Sequence, residues 1–429
     1  MLERIDLRER RARLEPRRFE ADPSVADAVR SILARVRDEG DNAVLDLTLR
    51  FDGADLRERG LVATPDELEA AGSTLSFDLR HAIDGLVERL RDLHGRQLPR
   101  EWQEEHEGVL FGEIVRPVEA AGCYVPGGRA VYPSSVAMTV VPAVIAGVPR
   151  VVVCTPPAQD GSLDPAVLYA ATRAGAAIVV KAGGAQAIAA LAFGTRSVPG
   201  VDRVVGPGNR YVTEAKRQVS GFVGVDGLAG PTELVLIADA SADPLWVAID
   251  LLAQAEHDPD AVTTLIVTDE TVLAPIEQHL EAEARRSTRR GIVEKAFGNA
   301  RVVLVTDADH AIEVANDLAP EHLQIVVGDP VRLGSGIRNA GAVFVGAFAA
   351  VPFGDYGVTS NHVLPTAGTA RFASGLRASD FVKVMSVVEL DRSAAERFAP
   401  EVSTIARHEG LDAHARAVEV RTKGRRPGW

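Results

Sequence analysis

The chain has 429 residues, 46% apolar and 25% charged, which is the composition of a globular protein large enough for two or more domains. Lys and Arg number 47 against 60 Asp and Glu, and this net charge of −13 argues against a protein that mainly binds nucleic acid. The first twenty residues lack the apolar core of a secretory signal, and the longest apolar stretch, 136–148, is too short to span a bilayer, so we expect a cytoplasmic protein with no membrane partner.

The N-terminal part of the chain has the pattern of helices. Residues 1–23 form an arginine-rich arm that ends at Asp22-Pro23, a typical helix start, and further helical patterns begin near 42, 64 and 79. Each pattern has apolar residues at spacings of three and four and a capping residue at its start. We expect a helical N-terminal arm and helices after it that carry no obvious chemistry.

Strands and helices then alternate in two blocks, from about 109 to 238 and from about 261 to 346. This order is typical of parallel sheets with helices on both faces. From about 377 the strand pattern is lost and helices are expected. The predicted fold class is therefore α/β, with two Rossmann-like domains. The predicted domains are 1–23 (N-terminal arm), 24–122 with 233–376 (first α/β domain), 123–232 (second α/β domain) and 377–429 (a small helical C-terminal tail domain).

Three glycine-containing loops follow strands of the first block and precede helices: Pro126-Gly127-Gly128, Gly183-Gly184-Ala185-Gln186 and Gly206-Pro207-Gly208-Asn209. The carboxyl edge of a doubly wound sheet is where nucleotides bind, although none of the loops has the G-x-G-x-x-G spacing and no acidic residue lies at the expected ribose distance. Each loop alone is explained at least as well as a tight turn that needs a positive φ. Three loops on one edge favour an anion or nucleotide site.

The stretch 251–260, LLAQAEHDPD, places Gln254 and His257 three residues apart at the end of a helical pattern. That spacing turns both side chains to one helix face, where an amide oxygen and an imidazole could be two ligands of a divalent metal. A histidine near a helix C-terminus is more often a simple cap that suits the helix dipole, so the pair alone does not decide between these interpretations.

The second block and the tail supply further titratable residues. Glu321 and His322 precede a strand, and polar loops at 353–357 and 360–362 contain Asp355 and His362. Individually, such residues are more often caps or surface groups. A shared site would combine the histidines that stand close to Asp, Glu or Asn, which are His257, His322, His362 and His414.

Longer segments carry a family resemblance. They are GCYVPGGRAVYPSSVAM, GGAQAIAALAFGT, VVGPGNRYVTEAKRQV, GPTELVLIAD, AQAEHD, APEHLQI, GDYGVTSNHVLPT and EGLDAHARAV. In this order and over about 113–420, the chain resembles the histidinol dehydrogenases, the zinc enzymes that complete histidine biosynthesis.

The resemblance implies an NAD-dependent enzyme with one Zn²⁺ per subunit that oxidises L-histidinol to L-histidine through L-histidinal. It implies Glu321 and His322 as the catalytic acid/base pair, and a homodimer in which the C-terminal tail completes the partner's site. Zinc and the catalytic pair would belong to the first α/β domain and NAD to the second. The implied binding residues are Gln254, His257, Asp355 and His414 for zinc, Tyr124, Gln186 and Asn209 for NAD, and Thr232, His362 and Glu409, with the zinc ligands and His322, for the substrate.

Position 232 departs from the family pattern, which usually has Ser there, but Thr keeps the hydroxyl. In the implied reaction His322 takes the alcohol proton, since the ordinary pKa of imidazole is about 6.5, and Glu321 activates water for the second oxidation. Zinc could act as a Lewis acid or as a template, and the template is favoured because histidinol offers two nitrogen donors to the metal.

Three other functions are alternatives to histidinol oxidation. A related alcohol dehydrogenase acting on another substrate, such as a sulfonated diol, would not need His362 and Glu409. A zinc hydrolase would not need the glycine loops or Tyr124, Gln186 and Asn209. A non-catalytic nucleotide-binding module would not need the full set of catalytic residues. The presence of all these residues therefore favours histidinol oxidation.

Overall fold

The computed structural model describes residues 2–9, 12–18, 22–127, 130–358 and 360–422. They divide into two compact units. Unit 1 comprises the described residues of Met1–Gln97 and Val118–Phe381, and unit 2 those of Leu98–Pro117 and Val382–Trp429. Both parallel sheets lie in unit 1, and the predicted boundary between two α/β domains stays a prediction.

The strands are β1 (Glu3–Asp6), β2 (Trp102–His106), β3 (Val109–Pro117), β4 (Ala120–Tyr124), β5 (Arg150–Thr155), β6 (Ile178–Lys181), β7 (Arg203–Val205), β8 (Gly224–Val225), β9 (Glu233–Ala238), β10 (Val262–Val267), β11 (Arg301–Leu304), β12 (His322–Val326), β13 (Ala342–Val345) and β14 (Val382–Leu390). The helices are α1 (Pro23–Glu39), α2 (Asp41–Asp52), α3 (Pro65–Ala71), α4 (Phe77–Gly95), α5 (Pro133–Ile145), α6 (Pro165–Ala174), α7 (Gly184–Phe193), α8 (Arg210–Val219), α9 (Pro244–Ala255), α10 (Leu273–Arg286), α11 (Arg290–Ala296), α12 (Ala308–Leu318), α13 (Pro330–Gly334), α14 (Val351–Asp355), α15 (Arg392–His408) and α16 (Asp412–Thr422). None of these described helices is long and apolar enough to cross a membrane.

The five-stranded sheet of unit 1 has the order β6-β5-β4-β7-β8, and every pairing in it is parallel. This confirms the predicted alternation. Its strands are nearly continuous apolar runs because helices cover both faces. Helices α1 and α2 share one of its apolar cores with α7 and α8, whereas the sequence prediction assigned 24–122 to the other α/β domain. Amphipathic helices fit the apolar face of either sheet equally well, so their own pattern could not choose between the two.

The six-stranded sheet has the order β1-β11-β10-β9-β12-β13, again with parallel pairings. One apolar cluster joins it to α9 and α10, and another joins its opposite face to α12 and α13. The edge strand β1 corrects the prediction of a helical arm. Its four residues pair with β11, and the flanking Leu2 and Leu7 are buried, so tertiary packing overrides the charged local pattern.

Unit 2 contains an antiparallel sheet, in the order β14-β3-β2, and the helices α15 and α16, which pack against each other. Both helices were expected, but β14 was not. Its sequence, VKVMSVVEL, is rich in valine and suits a strand. Its pairing partner β3 lies more than 260 residues earlier in the chain, so no hairpin signal marks it.

Candidate active site

The predicted catalytic residues lie at the amino edge of the six-stranded sheet. His322 is the first residue of β12 and pairs with Leu234 of the neighbouring β9. Helix α9 connects the parallel strands β9 and β10, so it runs back to this same edge, and its last turn carries the buried Gln254. His257 follows just beyond the helix end and is exposed. The start of α9 is fixed by Asp243, which caps the helix by accepting from the Leu245 N–H at 2.8 Å.

Glu321 is held by a short chain of hydrogen bonds. The hydroxyl of Thr232 donates to Glu321 Oε2 at 2.6 Å and accepts from Gln254 Nε2 at 2.5 Å. The backbone N–H of Glu233 donates to the same Oε2 at 2.8 Å. Burial raises the pKa of Glu321 in spite of these bonds and of the neighbouring His322. The carboxyl group is therefore fixed in position and easily protonated, as an acid/base group must be.

The imidazole of His322 is oriented by backbone. Its Nδ1 donates to the Glu233 carbonyl at 3.1 Å, and this bond leaves the lone pair on Nε2. Nε2 is buried and has no hydrogen-bond partner among the described residues, and it lies 3.6 Å from Asp355 Oδ1. Burial alone would lower the pKa of His322, but the carboxylates of Glu321 and Asp355 outweigh it and raise the pKa.

His362 has both ring nitrogens engaged. Its Nδ1 donates to the Asp355 carbonyl at 2.9 Å, and its Nε2 accepts from the Ser135 hydroxyl at 3.0 Å. Burial lowers the pKa of His362, so the ring is neutral. The predicted substrate contact by His362 would therefore need one of these bonds to break, or would use the ring face. Ser135 was not predicted as a site residue.

Asp355 is the residue on which the imidazoles converge. Burial would raise its pKa, but the neighbouring His322, 3.6 Å away, and the charges of His362 and His257 lower it. Among the described residues no three His, Cys, Asp or Glu side chains come close enough to hold a metal ion by themselves. The donors that unit 1 offers are the amide of Gln254, the imidazole of His257 and the carboxylate of Asp355. These donor types suit zinc, and the set needs at least one more ligand.

The remaining predicted site residues, Glu409 for the substrate and His414 for zinc and the substrate, lie in unit 2. Glu409 follows the last residue of α15, and His414 is in the first turn of α16, where its N–H donates to the Leu411 carbonyl at 3.0 Å. Because Glu409 and His414 belong to unit 2 and the other site residues to unit 1, their joining the site stays a prediction.

The predicted nucleotide contacts gather at the carboxyl edge of the five-stranded sheet. Tyr124 ends β4, and its hydroxyl accepts from the Gly184 N–H at 3.1 Å. Gln186 is buried in the first turn of α7. Asn209 caps α8 by accepting from the N–H groups of Tyr211 and Val212 at 3.0 and 3.2 Å. Gly128 of the first glycine loop lies outside the described residues.

Comparison with known proteins identifies the family. The family model described as histidinol dehydrogenase matches residues 15–422. The chain belongs to the histidinol dehydrogenase family. A histidinol dehydrogenase of Halalkalibacterium halodurans is 43% identical over 402 residues, covering 93% of this chain and 94% of the relative. One of Natronomonas pharaonis is 46% identical over 408 residues, covering 94% and 96%.

A crystal structure of histidinol dehydrogenase from Elizabethkingia anophelis has the same fold. It is 34% identical to this chain, covers 98% of each chain and gives a TM-score of 0.93. The predicted family and fold class are confirmed by these matches, and the chain is a dehydrogenase enzyme. The alternative of a related enzyme for another substrate, such as a sulfonated diol, is not favoured.

Two side chains of this histidinol dehydrogenase site were not singled out by the sequence. Besides Ser135, the buried Glu233 lies beside the carboxyl of Glu321, the predicted acid/base residue, and burial followed by the charge of Glu321 raises the pKa of Glu233 to about 7. One signal was available for Glu233, because it is the only charged residue in the fully buried strand ELVLIA. The Ser135–His362 bond joins positions 227 residues apart, and no local pattern predicts it.

Proposed function

We propose that this protein oxidises L-histidinol to L-histidine through L-histidinal, in the last step of histidine biosynthesis, with two molecules of NAD reduced in succession. Membership of the family supports the proposal. The observation that carries it is the buried Nε2 of His322, which faces Asp355 without a hydrogen-bond partner in the described chain, next to the anchored carboxyl of Glu321.

His322 is the base for the alcohol proton. Because its Nδ1–H is held by the Glu233 carbonyl, the lone pair on Nε2 is the one that can accept a proton from the substrate hydroxyl. Protonation of Nε2 is then stabilised by the Asp355 carboxylate 3.6 Å away.

Glu321 serves the second oxidation, in which water adds to the aldehyde. The bonds from Thr232 and from the Glu233 N–H both end on Oε2. Oε1 is therefore the oxygen that can take a proton from the attacking water. The raised pKa of Glu321 makes this carboxyl basic enough for that step.

We assign the metal site to Gln254, His257 and Asp355, completed by His414 of the partner subunit. The orphaned His322 Nε2 beside Asp355 supports a group from outside this chain at that position. Held by these residues, zinc would supply a Lewis-acidic template for the imidazole and amine nitrogens of the substrate. Tyr124, Gln186 and Asn209 would hold NAD, which supplies the hydride acceptor.

The proposal includes a homodimer, in which the tail of one subunit supplies Glu409 and His414 to the other. Unit 2 supports this. Its buried side chains are mostly small, such as Ala394, Ala399 and Ala406, while Val388 and Ile405 are 66% and 61% exposed. A unit with so little apolar burial and such exposed apolar residues is typical of an element that packs against another chain.

We assign the reaction to the cytoplasm, and the two free, buried cysteines agree with a reducing compartment.

The test is the amount of NADH formed per mole of L-histidinol by purified, zinc-loaded protein. We expect two NADH per substrate, loss of activity on chelation and recovery with zinc. His322→Asn should lower kcat by about 10²- to 10⁴-fold, whereas His310→Asn, at a buried histidine of α12, should not. Glu321→Gln should slow the second oxidation selectively, so that the early product is one NADH per substrate. Absence of NADH from L-histidinol with the wild-type protein would refute the proposal.

A further inference from the structure

Both backbone polar groups of Gly206 are bound by buried charged side chains. The Gly206 N–H donates to Asp226 Oδ2 at 2.7 Å, and the Gly206 carbonyl accepts from Lys216 Nζ at 2.8 Å. Lys216 and Asp226 also form an ion pair with each other, and their side chains are only 3% and 9% exposed. Three groups thus close a small triangle around the first residue of the loop Gly206-Pro207-Gly208-Asn209.

A buried ion pair is a poor way to gain stability. Removing two charges from water costs about as much as their attraction returns, and well-packed apolar residues of similar volume are often as stable or more so. The pair at Lys216 and Asp226 is therefore better explained by what it positions. Each of its members makes one hydrogen bond to the same glycine, which is the contact that an apolar pair could not replace.

The two hydrogen bonds that join Gly206 to Asp226 and Lys216, here called the clamp, hold a backbone conformation that needs support. Gly206 has a φ of +115°, a backbone conformation that L side chains rarely adopt, and a Cβ there would lie 2.0 Å from the Tyr124 carbonyl oxygen. The loop is therefore pressed against the end of β4, where Tyr124 stands. A peptide group in a sparsely populated conformation persists only when its surroundings fix it.

The clamp also fixes the start of α8. Asn209 uses its side-chain oxygen to cap the helix, which leaves its Nδ2 group as a donor for a ligand. Lys216 lies on α8 itself, and Thr213 of the same helix donates to the Ala229 carbonyl at 2.9 Å. Gly206 precedes Asn209 in the loop, and Lys216 follows it on α8. The bond from Lys216 to Gly206 therefore ties the loop to the helix and fixes the chain before and after Asn209.

We propose that Lys216 and Asp226 are positioning residues that hold the 206–209 loop in its NAD-binding conformation, and that they set the affinity for NAD and not the rate of chemistry. This rests on the proposed function, in which Asn209 contacts NAD. Lys216→Met should raise the KM for NAD by about tenfold, which is the loss of about one charge-assisted hydrogen bond, and should leave kcat and the KM for L-histidinol within about twofold.

The experiment compares Lys216→Met, Asp226→Asn and the double variant by Tm, by the Kd for NAD and by steady-state kinetics. Lys216→Met leaves the buried Asp226 carboxylate without its cation, and Asp226→Asn leaves the buried Lys216 ammonium without its anion, so each single variant should lower Tm. The double variant should recover much of that loss because no charge is left unpaired. NAD affinity should stay low in the double variant, since Met cannot donate to the Gly206 carbonyl. Recovery of both Tm and NAD affinity in the double variant would mean a structural role only and would overturn the inference.

Two controls keep this result separate from the proposed function. Asp202→Asn changes a carboxylate that accepts from the N–H groups of Glu119 and Ala120 at the opposite, amino edge of the same sheet, and it should alter Tm without altering the Kd for NAD. Asn209→Asp keeps the helix cap but removes the Nδ2 donor. If Asn209→Asp weakens NAD binding while the double variant does not, the positioning role is wrong and the NAD site stands. If Asn209→Asp leaves NAD binding unchanged, the proposed NAD contact itself is wrong.

Discussion

The hydroxyl of Thr232 donates to Glu321 Oε2 at 2.6 Å while it accepts from Gln254 Nε2 at 2.5 Å, so one side chain links the proposed catalytic carboxyl to a proposed zinc ligand. This linkage needs only the hydroxyl, which explains physically how Thr can stand where the family pattern usually has Ser. The added methyl group changes the volume beside the site but none of these bonds.

Substitutions at Thr232 should separate the hydroxyl from the methyl group. Thr232→Ser keeps both hydrogen bonds, and we expect kcat/KM for L-histidinol to stay within about threefold of the wild type. Thr232→Val keeps the shape but leaves Glu321 and Gln254 without their shared partner, and kcat/KM should fall by about ten- to a hundredfold. Steady-state kinetics on both variants decides the matter. Equal activities would show that the hydroxyl does not orient Glu321.

The two cysteines should be unreactive in the folded protein and should have no role in turnover. Burial raises the pKa of the Cys123 thiol to about 12 and also raises that of Cys154, so neither forms a thiolate near neutral pH. We expect Cys123→Ser and Cys154→Ser to retain turnover, with a stability loss of about 1–3 kcal/mol from the buried hydroxyl. A thiol reagent should label neither residue in the native protein and both after unfolding. Loss of turnover in a folded variant would contradict this prediction.

Local sequence patterns predicted most of the fold, because parallel strands and amphipathic helices have strong periodicities. The failures all concern contacts over long sequence distances. The edge strand β1 pairs with β11 nearly 300 residues away, and β14 pairs with β3. The packing of α1 and α2 on the five-stranded sheet also joins segments far apart in the chain, and their own amphipathic pattern does not specify it. A charged tetrapeptide such as ERID becomes a strand only because an unpaired edge is available to it.

In the candidate site, too, the sequence shows individual residues, but only the structure shows their long-range contacts. Glu321 and His322 stand next to each other in the sequence, but their assignment as an acid/base pair came from the family resemblance and stays a prediction, since such residues are individually more often caps or surface groups. Their supporting contacts could not be read from the sequence, since Thr232 lies 89 residues from Glu321. The bond from Ser135 to His362 also gives that imidazole a different environment from the one expected of a free substrate ligand. Only the tertiary structure brings these partners together.

Asp52 should make the stability of the protein depend on pH. Its Oδ2 is buried without a hydrogen-bond partner in the described chain, and burial raises the pKa from 3.8 to about 6. The folded state therefore binds this proton more tightly than the unfolded chain, and stability falls as the pH rises from about 4 to 6. Asp52→Asn should remove this fall and stabilise the protein above pH 6 by about 1–2 kcal/mol, a value reduced for the partial exposure of the carboxyl.

Urea unfolding at pH 4 and pH 7 measures this effect. The variant and the wild type should be nearly equal at the lower pH and differ at the higher pH. The exposed neighbour Asp55 provides a control, since Asp55→Asn should change stability by less than about 0.5 kcal/mol at both pH values. A constant difference between Asp52→Asn and the wild type across this range would mean that the carboxyl is not desolvated in the folded state.

Subunit complementation should reveal how the zinc site is assembled. His257→Ala and His414→Ala should each be inactive, because each removes a proposed ligand from every site of its homodimer. If the tail of one subunit completes the site of the other, a dimer with one subunit of each kind contains one site with both histidines intact. Unfolding and refolding the two variants together should then restore up to about a quarter of the wild-type sites, measured as NADH formation and as bound zinc. If both histidines of a site came from one chain, mixed dimers would contain no intact site, and the refolded mixture would stay as inactive as its parents.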